Sequence, residues 1–277
     1  MRLLLRIQGL SNFVRFPLRY LILLSALLVS LPAGAAQEIR VAAAADLKFA
    51  LDGLGTHYEK QTGRKIDVSY GSSGNFFAQI QNGAPFDVFL SADIEYPREL
   101  DAAGLAEPGT LYEYALGRIV IWMAADKRVD LAKLGWQALL DPSIQKIAIG
   151  NPEHAPYGRA AVAALRSAGI YEQVRAKLVY GENIAQAAQF VASGNAQAGI
   201  LALSLAISPP MREGKRWKIP ANMHPPIEQA AVIPKSAKDK DGARAFLTFL
   251  KSAGARKILE SYGFSLPAPD TANAQTQ

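Results

Sequence analysis

The sequence predicts an α/β protein of two lobes with a ligand cleft between them, and two observations carry this prediction. From Glu38 onwards, short β-prone runs alternate with amphipathic stretches of helical length, which is typical of βαβ units around mostly parallel sheets flanked by helices. The chain also has two candidate crossing points, one near Leu116 and Gly117 and one in the Pro-rich stretch 220–226. A chain that crosses out and returns builds a second lobe, and closure of two lobes buries a ligand.

The elements follow from the spacing of apolar residues. Apolar and β-branched runs predict strands at 39–44, 65–70, 87–91, 118–123, 146–150, 197–202 and 230–233. Helical periodicity lies between them, as in Phe49, Leu51, Leu54 and Tyr58. We expect lobe 1 over 37–116 with a return segment at 223–266, lobe 2 over 117–222, and a flexible polar tail at 267–277.

The N-terminus predicts export. Four arginines and no acidic residue precede an apolar run of 11 residues, 21–31, that ends at Pro32. A membrane-spanning helix needs about 20 apolar residues, so this run indicates a signal peptide over 1–36 rather than an anchor. Small residues place its cleavage after Ala35 or Ala36, which predicts a periplasmic protein. A retained signal anchor is the alternative, whereas a lipoprotein would need a cysteine.

Composition removes several classes of function. The chain has no cysteine, which excludes disulfides and thiolate metal sites. Its formal charge of +6 includes four arginines of the predicted signal peptide, so 26 basic and 24 acidic residues remain, a balance of +2. No basic run with interleaved aromatic residues is present, and we expect no nucleic-acid partner.

Four strand-to-helix junctions carry the groups that an anion needs. They are AAADL at 43–47, YGSSGN at 70–75, NPEHAPYG at 151–158 and GENI at 181–184. Ligands of open α/β sheets bind beyond the carboxyl ends of strands, where a helix N-terminus offers N–H groups and a positive dipole end. Asp46 either caps the helix that follows it or contacts the ligand. Gly71 and Gly74 allow positive φ, which would point successive N–H groups at one anion. Tyr157 either donates to an oxygen or packs.

Five sequence segments, taken in their order and spacing, indicate a protein family. They are AAADL at 43–47, SSGN at 72–75, NGAPFDVFLSAD at 82–93, GNPEHAPYG at 150–158 and KILESYGFSLP at 257–267. With them, residues 39–266 resemble the periplasmic molybdate-binding proteins of molybdate ABC transporters, which have the two-lobed type II periplasmic-binding-protein fold. The resemblance implies capture of molybdate or tungstate, delivery to an inner-membrane ABC permease, no enzymatic activity, no cofactor and a monomer.

The resemblance also implies the ligand contacts. In the family, backbone amides and a few hydroxyls hold the bare dianion, and no residue binds the metal atom directly. Carried onto matching positions, the ligand-binding residues are Ala45, Asp46, Ser73, Tyr157 and Ile184. Some members have a ligand-contacting tyrosine where this chain has Ala202, so we expect Tyr157 to supply that hydroxyl from the neighbouring loop.

Asp46 departs most from this pattern, because a carboxylate that faces a dianion in a dry cleft costs free energy. Either the side chain turns back to cap its own helix, which we favour, or the ligand carries a proton that Asp46 accepts. The second option would favour phosphate over molybdate or sulfate. Another tetrahedral oxyanion, phosphate or sulfate, therefore remains the alternative ligand.

Two other classes of function are weaker. A hydrolase would use the Ser72/Ser73 loop, but G-x-S-x-G is absent. The histidines, at positions 57, 154 and 224, lack metal-ligand spacing. A cytoplasmic ligand sensor conflicts with the export signal. Glu95, Glu99 and Glu107 are candidates for permease docking, although solvated charges are the default interpretation.

Overall fold

The computed structural model describes residues 38–267 of the chain. The predicted signal peptide with its cleavage site at Ala35 or Ala36, and the predicted tail after Pro267, lie outside the described residues. Within 38–267, no helix is long and apolar enough to cross a membrane.

The described chain alternates strands and helices. The strands are β1 Ile39–Ala44, β2 Ile66–Gly71, β3 Val88–Ser91, β4 Tyr112–Gly117, β5 Ile119–Met123, β6 Ile147–Gly150, β7 Leu178–Gly181, β8 Ala198–Ala202, β9 Lys215–Lys218 and β10 Ile227–Val232. The α-helices are α1 Lys48–Thr62, α2 Ser73–Gln81, α3 Glu95–Ala102, α4 Leu131–Leu134, α5 Pro156–Ser167, α6 Tyr171–Val174, α7 Ile184–Ala192, α8 Leu203–Ala206, α9 Lys240–Leu250 and α10 Ala253–Ser261. Short 3₁₀ turns occupy Ala45–Leu47, Gly135–Leu140, Arg175–Lys177 and Ala221–Met223.

The strands form two five-stranded sheets, each the centre of one lobe. Lobe 1 has the order β2-β1-β3-β10-β4, and lobe 2 has the order β7-β6-β8-β5-β9. The chain leaves lobe 1 at Arg118, between β4 and β5, and returns through residues 219–226, between β9 and β10. The predicted α/β two-lobed fold with helix-flanked sheets is therefore confirmed.

In each sheet four of the five strands run in the same direction and one runs against them, and the crossings explain why. In each sheet one strand, β10 or β5, is antiparallel to both of its neighbours. These are the two strands through which the chain enters a lobe from the other lobe. Such a strand begins at the boundary between the lobes, where the other strands end, and so it must run in the opposite direction.

Helices on both faces fix the strand ends. In lobe 1, Tyr58 of α1 packs edge-on against Phe246 of α9 with ring centroids 5.2 Å apart, and Phe76 and Phe89 belong to a second cluster of buried residues. In lobe 2, every residue of β5 is buried. Close packing of this kind leaves the loops at the carboxyl ends of the strands little freedom to move.

Candidate functional site

The four junctions singled out from the sequence meet in one cavity between the lobes. The cavity has a volume of about 200 Å³ including its mouth. Its lining residues are Ala44, Ala45, Asp46, Gly71, Ser72, Ser73, Ala92, Ala155, Pro156, Tyr157, Asn183 and Ile184. All five predicted ligand contacts are among them, and they come from both lobes.

Ser73 is positioned to donate a hydrogen bond. It is the first residue of α2, it is fully buried, and its Oγ accepts a hydrogen bond of 2.9 Å from the N–H of Ala92. Because this contact uses only an oxygen lone pair, the hydroxyl proton remains for a group in the cavity. The N-cap residue Ser72 makes no side-chain capping bond, so first-turn N–H groups of α2 also remain.

The start of α7 leaves one N–H toward the cavity. The side-chain oxygen of Asn183 accepts from the N–H groups of Ala185 and Gln186, at 3.0 Å each. Ile184, the first residue of the helix, therefore keeps an N–H that has no acceptor within the helix. The helix dipole adds partial positive charge at the same point.

Helix α5 presents the side chain of Tyr157 to the cleft. Pro156 occupies the first helical position, where its missing N–H costs nothing. The ring of Tyr157 is buried, and its hydroxyl donates a hydrogen bond of 2.8 Å to Oδ2 of Asp46. The hydroxyl proton is therefore committed to Asp46, so the expected donation to the anion could come only after this contact breaks.

Asp46 does not cap its helix, and the interpretation we favoured from the sequence is wrong on this point. The N-cap residues of the 3₁₀ turn and of α1 are Ala44 and Leu47 rather than Asp46, and neither makes a side-chain capping bond. The carboxylate turns toward lobe 2 instead, and its Oδ2 also accepts a hydrogen bond of 2.7 Å from Nε2 of Gln229. Its Oδ1 is buried and has no hydrogen-bond partner among the described residues.

Gln229 and Tyr114 complete a buried network that the sequence analysis missed. The amide of Gln229 donates to Asp46 and, at 2.9 Å, to the hydroxyl oxygen of Tyr157. Its own oxygen lies 2.9 Å from the hydroxyl of Tyr114, which also lies 3.1 Å from the carbonyl of Ser91. The signal in the sequence was a glutamine directly before the apolar residues that end strand β10.

Burial controls the ionisation of this network. Desolvation raises the pKa of Asp46 from 3.8 to about 6, although hydrogen bonds from Gln229 and Tyr157 and the nearby backbone N–H groups of Asp46 and Leu47 lower it in part. Burial, reinforced by the charge of Asp46, raises the pKa of Tyr157 and of Tyr114 well above the ordinary value of 10. Both tyrosines are therefore neutral hydrogen-bond donors at any physiological pH.

Further contacts hold the lobes together around the cavity. The N–H of Gly74 in lobe 1 donates to the carbonyl of His154 in lobe 2 at 3.0 Å, and Ser72 Oγ lies 3.0 Å from Nδ1 of His154. Glu182 lies 3.7 Å from Nε2 of the same ring and accepts from the amide of Asn75. These contacts across the boundary show that the lobes are closed.

A second bridge between the lobes lies beside α5. Arg159 forms an ion pair with Asp93 of lobe 1, and its guanidinium lies 5.6 Å from the centre of the Tyr96 ring. Ser204 of lobe 2 adds a hydrogen bond of 2.8 Å to the carbonyl of Asp46. Together with the network around Asp46, these bridges enclose the cavity from several sides.

The glycines of the second junction act through close approach rather than positive φ. Neither Gly71 nor Gly74 is among the glycines with positive φ, so our expectation of such a nest is wrong. A Cβ on Gly74 would lie 2.9 Å from the His154 carbonyl oxygen and 2.8 Å from the Tyr96 hydroxyl. The absence of a side chain there is what lets the two lobes touch.

None of the described residues that line the cavity has a cationic side chain. Among its lining residues, only Asp46 and Tyr157 are ionisable. In residues 38–267, no group of three or more histidine, cysteine or acidic side chains is arranged to hold a metal ion. Ala202, where some family members have a tyrosine, is buried at the end of β8 and does not line the cavity. The cavity therefore offers an anion the dipoles of hydroxyl and N–H groups rather than a positive charge.

Comparison with known proteins agrees with this geometry. Residues 39–265 match the family described as bacterial extracellular solute-binding protein. A molybdate-binding protein ModA from Azotobacter vinelandii is 40% identical over 250 residues, which cover 88% of this chain and 98% of that protein. The ModA of Rhodobacter capsulatus is 39% identical over 236 residues, covering 85% of this chain and 91% of that protein. The solved structure of the Azotobacter vinelandii periplasmic molybdate-binding protein is similar with a TM-score of 0.78 and 37% identity, covering 83% of this chain and 100% of that one.

Proposed function

Because this chain belongs to the bacterial extracellular solute-binding proteins, and within them to the family of the molybdate-binding protein ModA, we propose that it captures molybdate in the periplasm and passes it to an ABC-type permease. The relatives are binding proteins, and no bond of the ligand is made or broken in this function. The signal peptide over 1–36 is the part of the proposal that accounts for export.

The observation that carries this function is the small cavity closed between two lobes, which is lined by donors and lacks a cation. Ser73 and Ile184 line it from opposite lobes, and we propose that the hydroxyl of Ser73 and the first-turn N–H of Ile184 are two of its donors. A tetrahedral dianion has four acceptor oxygens and no donor. Such an ion matches a wall of N–H and O–H groups, and helix dipoles balance its charge.

The mechanism follows from the two-lobed architecture. The open cleft admits the hydrated anion, the donors of Ser73, Ile184 and the neighbouring turns replace its water, and the lobes then close on it. Selectivity comes from size, since molybdate has longer bonds to oxygen than sulfate has. The donors are fixed by helices packed on two sheets, so they cannot follow a smaller ion inward.

Tungstate is the second ligand that we propose, because it has nearly the size and charge of molybdate. Ala45, Asp46, Ser73, Tyr157 and Ile184 are the proposed contacts for both ions. We also propose that the protein acts as a monomer, since the cavity is completed by residues of one chain.

One contact favours the hydrolase alternative, and its surroundings outweigh it. The hydroxyl of Ser72 lies 3.0 Å from Nδ1 of His154, a distance at which a base activates a nucleophile. However, the two residues belong to different lobes, so the pair exists only when the cleft is closed. The cavity between the closed lobes then has no room for an ester or a peptide.

Thermal unfolding of the purified mature protein tests the function. Molybdate, tungstate, sulfate, phosphate and nitrate are compared at equal concentration. An anion present at 100 times its dissociation constant adds about 2.7 kcal/mol, which raises Tm by roughly 5 to 10 °C for a protein of this size. We expect shifts with molybdate and tungstate alone, whereas a shift with phosphate or sulfate alone would contradict the proposal.

A further inference from the structure

The carboxyl group of Asp46 has side-chain hydrogen-bond partners on only one of its two oxygens. Oδ2 accepts from the hydroxyl of Tyr157 and the amide of Gln229. Oδ1 is buried and makes no hydrogen bond among the described residues, and Asp46 is one of the residues that line the cavity. Since both partners of Oδ2 are donors, a proton on this carboxyl group has its place on Oδ1.

We infer that Asp46 holds the captured anion as a neutral carboxylic acid, with the proton on Oδ1 donated to an oxygen of the anion, so that capture takes up one proton. This inference rests on the proposed function and deepens it by assigning a specificity-determining role to a side chain. Protonation turns the one acidic group among the lining residues from a repulsive neighbour of a dianion into another hydrogen-bond donor.

Lobe closure provides the coupling between proton and anion. Tyr157 belongs to lobe 2 and Asp46 to lobe 1, so opening of the cleft breaks their contact and returns the carboxyl group to water. In water a carboxyl group titrates near pH 4. In the closed cleft burial raises the pKa of Asp46 to about 6, and an adjacent dianion acts in the same direction. Closure on the anion therefore draws a proton from solvent in the pH range above 4.

Among the described residues, no charged side chain contributes to the raised pKa of Asp46. Helices α7 and α8, which lie against its 3₁₀ turn, carry no titratable side chain. On α1, Lys48 is exposed, and the later charged residues Asp52, Glu59 and Lys60 also lie at the surface. The tyrosines at 157 and 114 stay neutral because their pKa values are raised.

His154 is a second ionisable side chain close to the cleft. Its ring contacts Ser72 and lies 3.7 Å from a carboxylate oxygen of Glu182. It belongs to the bridge between the lobes and is absent from the lining of the cavity. A matched variant at His154 therefore separates proton uptake by the bridge from proton uptake by Asp46.

A protonated Asp46 would also increase the selectivity of the site among anions. Molybdate at neutral pH carries no proton, so each of its oxygens can accept from Oδ1–H of Asp46. Hydrogen phosphate carries a proton that needs an acceptor, and in the protonated site Asp46 no longer offers one. The same carboxyl group would thus favour the fully deprotonated ion.

Titration calorimetry in buffers of different ionisation enthalpy measures the protons taken up with each anion. Wild type, Asp46→Asn and His154→Gln are titrated with micromolar molybdate between pH 6 and pH 8. We expect wild type to take up nearly one proton, and its affinity to fall by up to about tenfold for each pH unit. We expect Asp46→Asn, whose amide donates permanently, to take up none and to bind more tightly than wild type at pH 8.

The experiment distinguishes failure of this inference from failure of the proposed function. His154→Gln should bind more weakly through loss of the bridge but should retain the proton uptake of wild type. Binding without proton uptake by wild type, or uptake that persists in Asp46→Asn, would overturn this inference and leave the proposed function standing. The same holds if folded Asp46→Asn, checked by circular dichroism, no longer binds. Absence of any binding of molybdate by wild type would overturn the function and the inference together.

Discussion

The hydroxyl of Tyr157 and the carboxylate of Asp46 form a buried hydrogen bond of 2.8 Å that joins the two lobes at the cavity. Gln229 donates to both partners, so three side chains from two lobes and from the returning strand converge at one point. The stability of the closed form and the chemistry of the cavity thus depend on the same atoms.

Loss of the Tyr157 hydroxyl should weaken capture. Tyr157→Phe removes a donor to Asp46 and the acceptor of one N–H of Gln229, and we expect molybdate affinity to fall by about 1 to 3 kcal/mol. Titration calorimetry measures the change, and Tyr180→Phe is the matched control because that tyrosine is 47% exposed. Equal affinities of the two variants would show that closure does not use this bond.

Ser73→Ala tests the hydroxyl donor of lobe 1. We expect a loss of about 1 to 3 kcal/mol in molybdate affinity, because a buried donor to a charged ligand disappears and the N–H of Ala92 loses its acceptor. Ser69→Ala, at an exposed position of the neighbouring strand β2, should bind as wild type does. An affinity for Ser73→Ala that matched the control would remove Ser73 from the site.

Ile184→Pro tests a backbone donor without breaking the helix. Proline is tolerated at the first position of a helix, and the extended backbone of Asn183, with φ −143° and ψ 176°, suits a residue before proline. The variant lacks only the N–H at this point and part of the apolar side chain. We expect it to bind molybdate more weakly by about 1.5 to 3 kcal/mol.

The side-chain contribution at this position is measured separately. Ile184→Ala keeps the N–H while it removes the buried side chain, so the difference in affinity between the two variants isolates the backbone donor. If the alanine variant binds as weakly as the proline variant, the N–H of Ile184 does not hold the anion.

The pKa of Asp46 predicts a pH-dependent stability. Because the pKa is raised from 3.8 to about 6 in the closed protein, the folded state binds the proton more tightly than the unfolded state does. The resulting stabilisation is complete below pH 4 and is lost as pH rises through 6, a change of about 3 kcal/mol. In urea unfolding, the stability of Asp46→Asn relative to wild type should rise by up to this amount between pH 4 and pH 7. A difference that is constant with pH would contradict the buried state of the carboxyl group.

The sequence was sufficient for the central strands and weaker at the sheet edges. The prediction for β1 coincides with the observed strand, whereas β4, β7 and β9 were missed. All three are edge strands. An edge strand has neighbours on one side only, so its residues can alternate in exposure, as in Lys215–Lys218. Its composition is then hard to distinguish from that of a loop.

The site was predictable where function depends on local chain geometry. Ser73 and Ile184 begin helices after strands, a pattern that short-range sequence signals reveal. The direction of the Asp46 side chain was not predictable, because its partners lie 111 and 183 residues away along the chain. Capping and a tertiary hydrogen bond compete for the same carboxylate, and only the fold decides between them.

The lack of lysine and arginine in the cavity wall has a consequence for the conditions under which the protein works. Attraction between separate charges weakens as ionic strength rises, whereas short hydrogen bonds inside a closed cleft are shielded from dissolved ions. The affinity for the anion should therefore depend little on the salt concentration. A protein that works outside the cytoplasm meets salt concentrations that the cell does not control. A site built from dipoles continues to bind its anion when those concentrations change.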